Sequence, residues 1–134
     1  MELHEQLARL ETLQKKLYAY TCAESSLYLD AETTAPRNTA EGRGVALSIL
    51  AGERQKLMTS PETAALLEEL YGRKAELDTL HRRQVEELHR SWERMTRIPA
   101  GEYMAYTELT NRAGNVWHKA KEENDFASFC PVLQ

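Results

Sequence analysis

Leu3-His4-Glu5-Gln6-Leu7-Ala8-Arg9-Leu10-Glu11-Thr12-Leu13-Gln14-Lys15-Lys16-Leu17 places a leucine at every third or fourth residue, with polar and charged residues between. That spacing follows the 3.6-residue turn of a helix with one apolar face. The stripe runs on through Tyr20 and Leu27, with a polar interruption at Glu24. One long helix is therefore predicted from Leu3 to the neighbourhood of Thr33-Thr34-Ala35-Pro36, where the proline disfavours helix at Ala35. Pro36-Arg37-Asn38-Thr39 is then a loop.

The rest of the chain repeats the theme. A second helix is predicted from about Thr39 through Val45, Ala46, Ile49, Leu50 and Leu57 to Met58, with Gly42, Gly44 and Gly52 as points of close packing. Ser60-Pro61-Glu62 marks a restart: a capping hydroxyl, a proline at the first helical position and an acid in the first turn. That third helix carries Ala64, Leu67, Leu70 and Tyr71 and ends near Gly72. Leu77, Leu80, Val85, Leu88, Trp92 and Met95 define a fourth helix, either separate from the third or continuous with it through Lys74-Ala75-Glu76, and closed by Pro99. A fifth aligns Tyr103, Tyr106, Thr110, Ala113, Trp117 and Ala120 on one face, with Asn124 at its C-terminal cap. Asp125 and Pro131 suit the opening of one more helix, whose apolar stripe of Phe126, Phe129, Val132 and Leu133 has nothing after it. No strand alternation and no internal repeat occur, so the expected fold is all-α: antiparallel hairpins in a bundle of five to six helices. The interrupted last stripe predicts that residues 1–134 are one helical region of a longer protein.

Composition narrows the partners. A net charge of −4 argues against nucleic acid, whose phosphates demand a basic excess. Lys15-Lys16 and Arg82-Arg83 sit among acids and read as solvated helix faces. No apolar run approaches the ~20 residues of a membrane span, and Met1-Glu2-Leu3-His4-Glu5 has no signal-peptide core. Cys22 and Cys130 are too far apart for a CxxC motif and read as buried thiols of a cytoplasmic protein.

Chemistry-bearing spacings are few. His4-Glu5 opens like an HExxH zinc helix, but the second histidine's position holds Ala8. Glu86 with His89 and Asp78 with His81 form carboxylate–histidine steps on a single helix, where di-metal bundles draw them from two; a solvated charged face accounts for them. His118 and Glu122, four residues apart, read as a helix-surface pair. No GxSxG elbow and no phosphate loop are present, since Gly42-Arg43-Gly44 lacks the strand and the Lys–Ser/Thr ending. Trp92, Trp117, Tyr103 and Tyr106 read as core rather than as a ligand groove. No catalytic, cofactor-binding or metal-ligating residue is therefore assigned.

Three segments do carry a resemblance. Leu27-Tyr28-Leu29-Asp30-Ala31-Glu32-Thr33-Thr34-Ala35-Pro36, followed by Ala40-Glu41-Gly42-Arg43 and Leu47-Ser48-Ile49-Leu50-Ala51-Gly52, forms the first. Ser60-Pro61-Glu62 with its leucines is the second, and Glu123-Asn124-Asp125-Phe126-Ala127-Ser128-Phe129-Cys130-Pro131-Val132-Leu133 the third. In order and spacing they resemble the N-terminal region of the thermostable-carboxypeptidase family, whose early segment reads L-x-W-D-x-E-T-x-x-P, then A-E-x-R, and later N-D-F-x-x-F-x-P-x-L. Leu29 stands where that pattern has tryptophan. The resemblance implies a cytoplasmic HExxH zinc metallocarboxypeptidase as parent, with zinc or another divalent metal and the peptide-cleaving residues beyond residue 134. It also implies that this region covers one side of a substrate cleft, with the catalytic remainder as its partner. The alternatives are a free-standing helical interaction module and a piece of a related oligoendopeptidase. With apolar stripes left uncovered, the isolated chain is expected to self-associate.

Overall fold

The computed structural model describes residues 2–134 and is helical throughout. Five α-helices run in order: α1 (Leu3–Thr33), α2 (Ala40–Met58), α3 (Pro61–Gly72), α4 (Thr79–Thr96) and α5 (Ala100–Glu122). Short 3-10 turns occupy Arg37–Thr39, Lys74–Glu76, Phe126–Ser128 and Cys130–Val132. No strand occurs among the described residues.

The leucine stripe of α1 does what its spacing implies. Leu10 and Leu13 enter a core with Met58, Leu66, Leu67, Leu70, Leu77 and Val85, flanked by Leu3, Leu7, Leu17 and Trp92. This core joins the first half of α1 to α3 and α4. Ser60 caps α3 as its sequence suggests, its hydroxyl accepting from the Thr63 N–H at 3.2 Å, with Pro61 in the first turn.

Helices 3 and 4 are separate. After Gly72 the chain makes the Lys74–Glu76 turn, buries Leu77, and restarts where Asp78 accepts from the His81 N–H at 3.0 Å. Arg82 fastens this corner by donating to the carbonyls of Lys74 and Leu77, each at 3.2 Å. Leu77 thus lies before α4, and Leu80, expected in the stripe, is 64% exposed because the capped restart turns it outward.

The second half of the molecule is built differently. Antiparallel α2 and α5 pack closely, with Arg54 of α2 reaching Tyr103 of α5 and Gln55 reaching the Ile98 carbonyl just before it. Gly52 is the point of close approach: a Cβ there would meet the Met104 sulfur at 3.3 Å. Gly42 and Gly44, by contrast, face open space. The buried face of α5 also differs from the expected one. Asn111 and Ala120 are buried and Thr107 half-buried, whereas Tyr106, Thr110 and Trp117 are exposed. Small and polar side chains let α5 lie close to α2, and the bulky aromatics are left outside.

The C-terminal end of α5 is closed by Asn124, whose φ of 55° is the left-handed conformation asparagine tolerates. The Asp125 N–H bonds the Ala120 carbonyl at 2.8 Å and the Asn124 N–H bonds that of Lys121 at 3.4 Å. Asp125 then caps the next turn through the Ser128 N–H and hydroxyl. Two 3-10 turns complete the chain in place of the expected α-helix. Pro131 has no N–H with which to close an α turn there. Cys22 is exposed and Cys130 half-buried, so the expectation of two buried thiols fails at Cys22.

Candidate functional site

The segment from Tyr28 to Arg43 ends one helix, turns and starts the next, and its side chains hold that turn in place. Asp30 is the anchor. Its carbonyl receives the N–H groups of Thr34 at 3.0 Å and Ala35 at 2.9 Å, and its carboxylate receives the Thr34 hydroxyl at 2.9 Å. Pro36 then leads into the Arg37–Thr39 turn, where the Thr39 hydroxyl donates to the Pro36 carbonyl at 2.6 Å. Arg43, one turn into α2, reaches back to the Thr39 hydroxyl at 2.8 Å. Leu29 is 65% exposed and packs into none of this.

The same segment clasps α5. The Tyr28 hydroxyl donates to Asn111 Oδ1 at 2.7 Å, Glu32 meets His118 at 3.0 Å, and Arg37 pairs with Glu122. The partners rise together in number, so the end of α1 and α5 run in the same direction, with α2 opposed to both. A further tie lies deeper. Glu24, the polar break in the α1 stripe, accepts from Arg54 at 3.2 Å, and Arg54 also donates to the Tyr103 hydroxyl at 3.2 Å.

Between these elements lies a cleft of about 620 Å³, within the size range of small-ligand sites. Glu32, Thr33, Pro36, Ala40 and Arg43 line it, so five residues of the first resemblance segment converge on one place. Asn111 lies on its far wall, and its amide Nδ2 is buried without a hydrogen-bond partner.

Three of the histidines have partners, and one of these, His118, lines the cleft. His81 meets Asp78 at 2.5 Å, and this bond holds the Asp78 carboxyl below its ordinary value. His89 stacks on Tyr71 with ring centroids 4.1 Å apart, while Glu86 pairs with Arg83. His118 meets Glu32 of α1 and not Glu122 of its own helix, because Arg37 takes Glu122. Among the described residues no three His, Cys, Asp or Glu side chains converge as a metal site would require. Of the four aromatics expected in the core, Trp92 packs there and Tyr103 is half-buried, while Tyr106 and Trp117 are 65% and 42% exposed. Trp117 rests against Phe129, centroids 5.2 Å apart. The cleft itself is hidden from sequence reasoning, since its walls are brought together by partners 83 and 86 residues apart.

Comparison with known proteins places this architecture. The family model described as carboxypeptidase Taq (M32) metallopeptidase matches residues 9–134. Carboxypeptidase 1 of Bacillus subtilis (strain 168) is 30% identical over all of this chain, which spans 27% of that protein. The crystal structure of BsuCP superposes on 96% of the chain with a TM-score of 0.87 at 28% identity. Metallocarboxypeptidase 1 of Trypanosoma cruzi does so over 96% with a TM-score of 0.74 at 32% identity. In each structure the chain corresponds to 26% of the solved protein, about a quarter of its length. With nearly every residue inside the family match, this chain belongs to the carboxypeptidase Taq (M32) metallopeptidase family.

Proposed function

We propose that residues 1–134 form a single N-terminal helical region of a zinc-dependent cytoplasmic metallocarboxypeptidase that releases C-terminal amino acids from peptides. The reading rests above all on the family match over residues 9–134. In it, the chain covers one side of the substrate cleft and contributes no catalytic, cofactor or metal ligand. An HExxH helix in the remaining part would hold the metal, and the metal would there supply Lewis acidity toward the scissile carbonyl. The family match favours this over the oligoendopeptidase alternative. No described helix is long and apolar enough to cross a membrane.

The partner of this region is the catalytic remainder. Trp117, Phe126 and Leu133 are 42%, 59% and 61% exposed, and Val45 and Ile49 of α2 are also exposed. Large side chains of this kind gain ~1.5–3 kcal/mol each on full burial, which supports their seating on further protein, or on a second copy when the chain is alone.

The test is to supply the chain with and without the HExxH portion of a family carboxypeptidase and to measure free amino acid release with the metal content. Release is expected only from the joined protein. Peptidase turnover by the 134-residue chain, abolished by His89→Ala, would overturn the reading. Sedimentation of the chain alone is expected to show dimers or larger species; a clean monomer at high concentration contradicts the self-association.

A further inference from the structure

We propose that Met104 is a reversible oxidation site, a thioether wedge whose conversion to the sulfoxide loosens the packing of α2 against α5.

The first observation is geometric. Gly52 of α2 is buried. The three heavy atoms nearest to the place a Cβ would take there all belong to Met104: Sδ at 3.3 Å, and Cε and Cγ at 3.5 Å. The end of the Met104 side chain therefore fills the notch that the glycine leaves in α2. An unbranched thioether suits such a gap, being apolar and free to follow its shape.

The second observation is access. Met104 is 38% exposed and Met58 only 4%, while Met95 is half-buried against the leucine core. The backbone of a helical residue is enclosed by its own turns, so this exposure belongs to the side chain. One flank of the thioether meets Gly52 and the other meets water.

The chemistry is a two-electron oxygen transfer from a hydroperoxide. The sulfur lone pair attacks the outer peroxide oxygen and the O–O bond breaks. The proton of the attacked oxygen passes to the departing one, which leaves as water or an alcohol; sulfur is oxidised and the peroxide reduced. The sulfoxide is polar and chiral where the thioether was apolar. Its oxygen demands hydration, which draws the end of Met104 out of the notch, and Gly52 has no Cβ to fill the space. The bonds beside the notch tie the two helices together: Arg54 to the Tyr103 hydroxyl at 3.2 Å and Gln55 to the Ile98 carbonyl at 3.4 Å. Glu24 of α1 holds the same Arg54, so oxidation of one atom reaches all three helices of this end.

The test treats the 134-residue chain with hydrogen peroxide, follows oxygen gain on each methionine peptide by mass spectrometry, and reads amide exchange along the chain. Met104 is expected to oxidise about tenfold or more faster than Met58, because a buried sulfur reacts only through local opening. Amides of residues 50–56 and 102–108 should then exchange about threefold or more faster, while those around Leu67 and Val85 keep their rates. Methionine sulfoxide reductases, one for each epimer, should restore the original rates. Met104→Leu keeps the volume without the sulfur, and peroxide is expected to leave its exchange unchanged. Oxidation of Met104 no faster than that of Met58, or oxidation without a change of exchange in α2 and α5, overturns the proposal. So does the same change in Met104→Leu, which would assign it to Cys22 or Cys130. Should that variant unfold, reversal decides: the reductases must restore the rates and a thiol reductant alone must not.

Discussion

The two ends of this molecule are held together in different proportions of apolar and polar contact. At one, α1, α3 and α4 meet mainly through leucines, with Leu67, Leu70 and Val85 at 0% exposure. A buried amide there, Gln6, donates to Glu69 and accepts from Arg73. At the other, α1, α2 and α5 are stitched by polar pairs: Glu24 to Arg54 to Tyr103, Tyr28 to Asn111, Glu32 to His118 and Arg37 to Glu122. Each end therefore answers to different conditions. Close-packed apolar contacts hold an end firmly across a wide range of pH and salt, whereas paired charges respond to both and to incoming ligands. The candidate cleft lies at the polar end.

The largest effect is expected at the apolar end. Leu67→Ala removes a fully buried side chain and should cost about 2–5 kcal/mol, read as a lower urea midpoint. A loss below ~1 kcal/mol would mean that the leucine core is no firmer than the rest. Next, Glu24→Ala leaves the Arg54 guanidinium, only 27% exposed, without its carboxylate. A cost of about 1–3 kcal/mol is expected, and rescue by a compensating Arg54→Met change would show that the pair specifies the packing rather than drives it.

Much of the fold is legible in the sequence. The period of Leu3, Leu7, Leu10, Leu13 and Leu17 yields α1 and its buried face, Pro36 its end, and Ser60-Pro61 the start of α3, because helix signals are local. Asn124 is legible for the same reason. The face of α5 is not. Periodicity ranks Trp117 and Tyr106 as core, yet the helix turns Thr107 and Asn111 inward, since the pairing partner of Asn111 is Tyr28, 83 residues earlier. The break at Glu24 is visible as a defect in a stripe; its cause, Arg54, is not. The cleft is wholly a product of such distant pairings. No local spacing announces it, and only the resemblance segment hints that Glu32, Pro36 and Arg43 belong together.

Smaller effects separate the two ends further. Ser60→Ala removes the α3 cap and should cost about 1 kcal/mol, detected as faster amide exchange at Thr63. Gly114→Ala in α5 meets open space and should stabilise the polar end by up to ~1 kcal/mol; destabilisation would show that the cleft wall needs the glycine. The smallest effect is acid-dependent. Asp78, held below its ordinary value of 3.8 by the bond to His81, keeps its cap above that pH and gives it up as the pH falls through the lower folded-state value. The His81 amide should respond to that protonation of Asp78, while the leucine core around Leu70 stays unmoved.

Helix α1 belongs to both ends. Its 31 residues span about 46 Å at 1.5 Å per residue, a single rod whose first half is clamped in oil and whose second half is held by charges. Hydrogen exchange along it should therefore form a gradient, slow near Leu10 and Leu13 and faster toward Tyr28 and Glu32. One continuous helix becomes a ruler of local stability, on which an event in the cleft would be recorded as a change of slope.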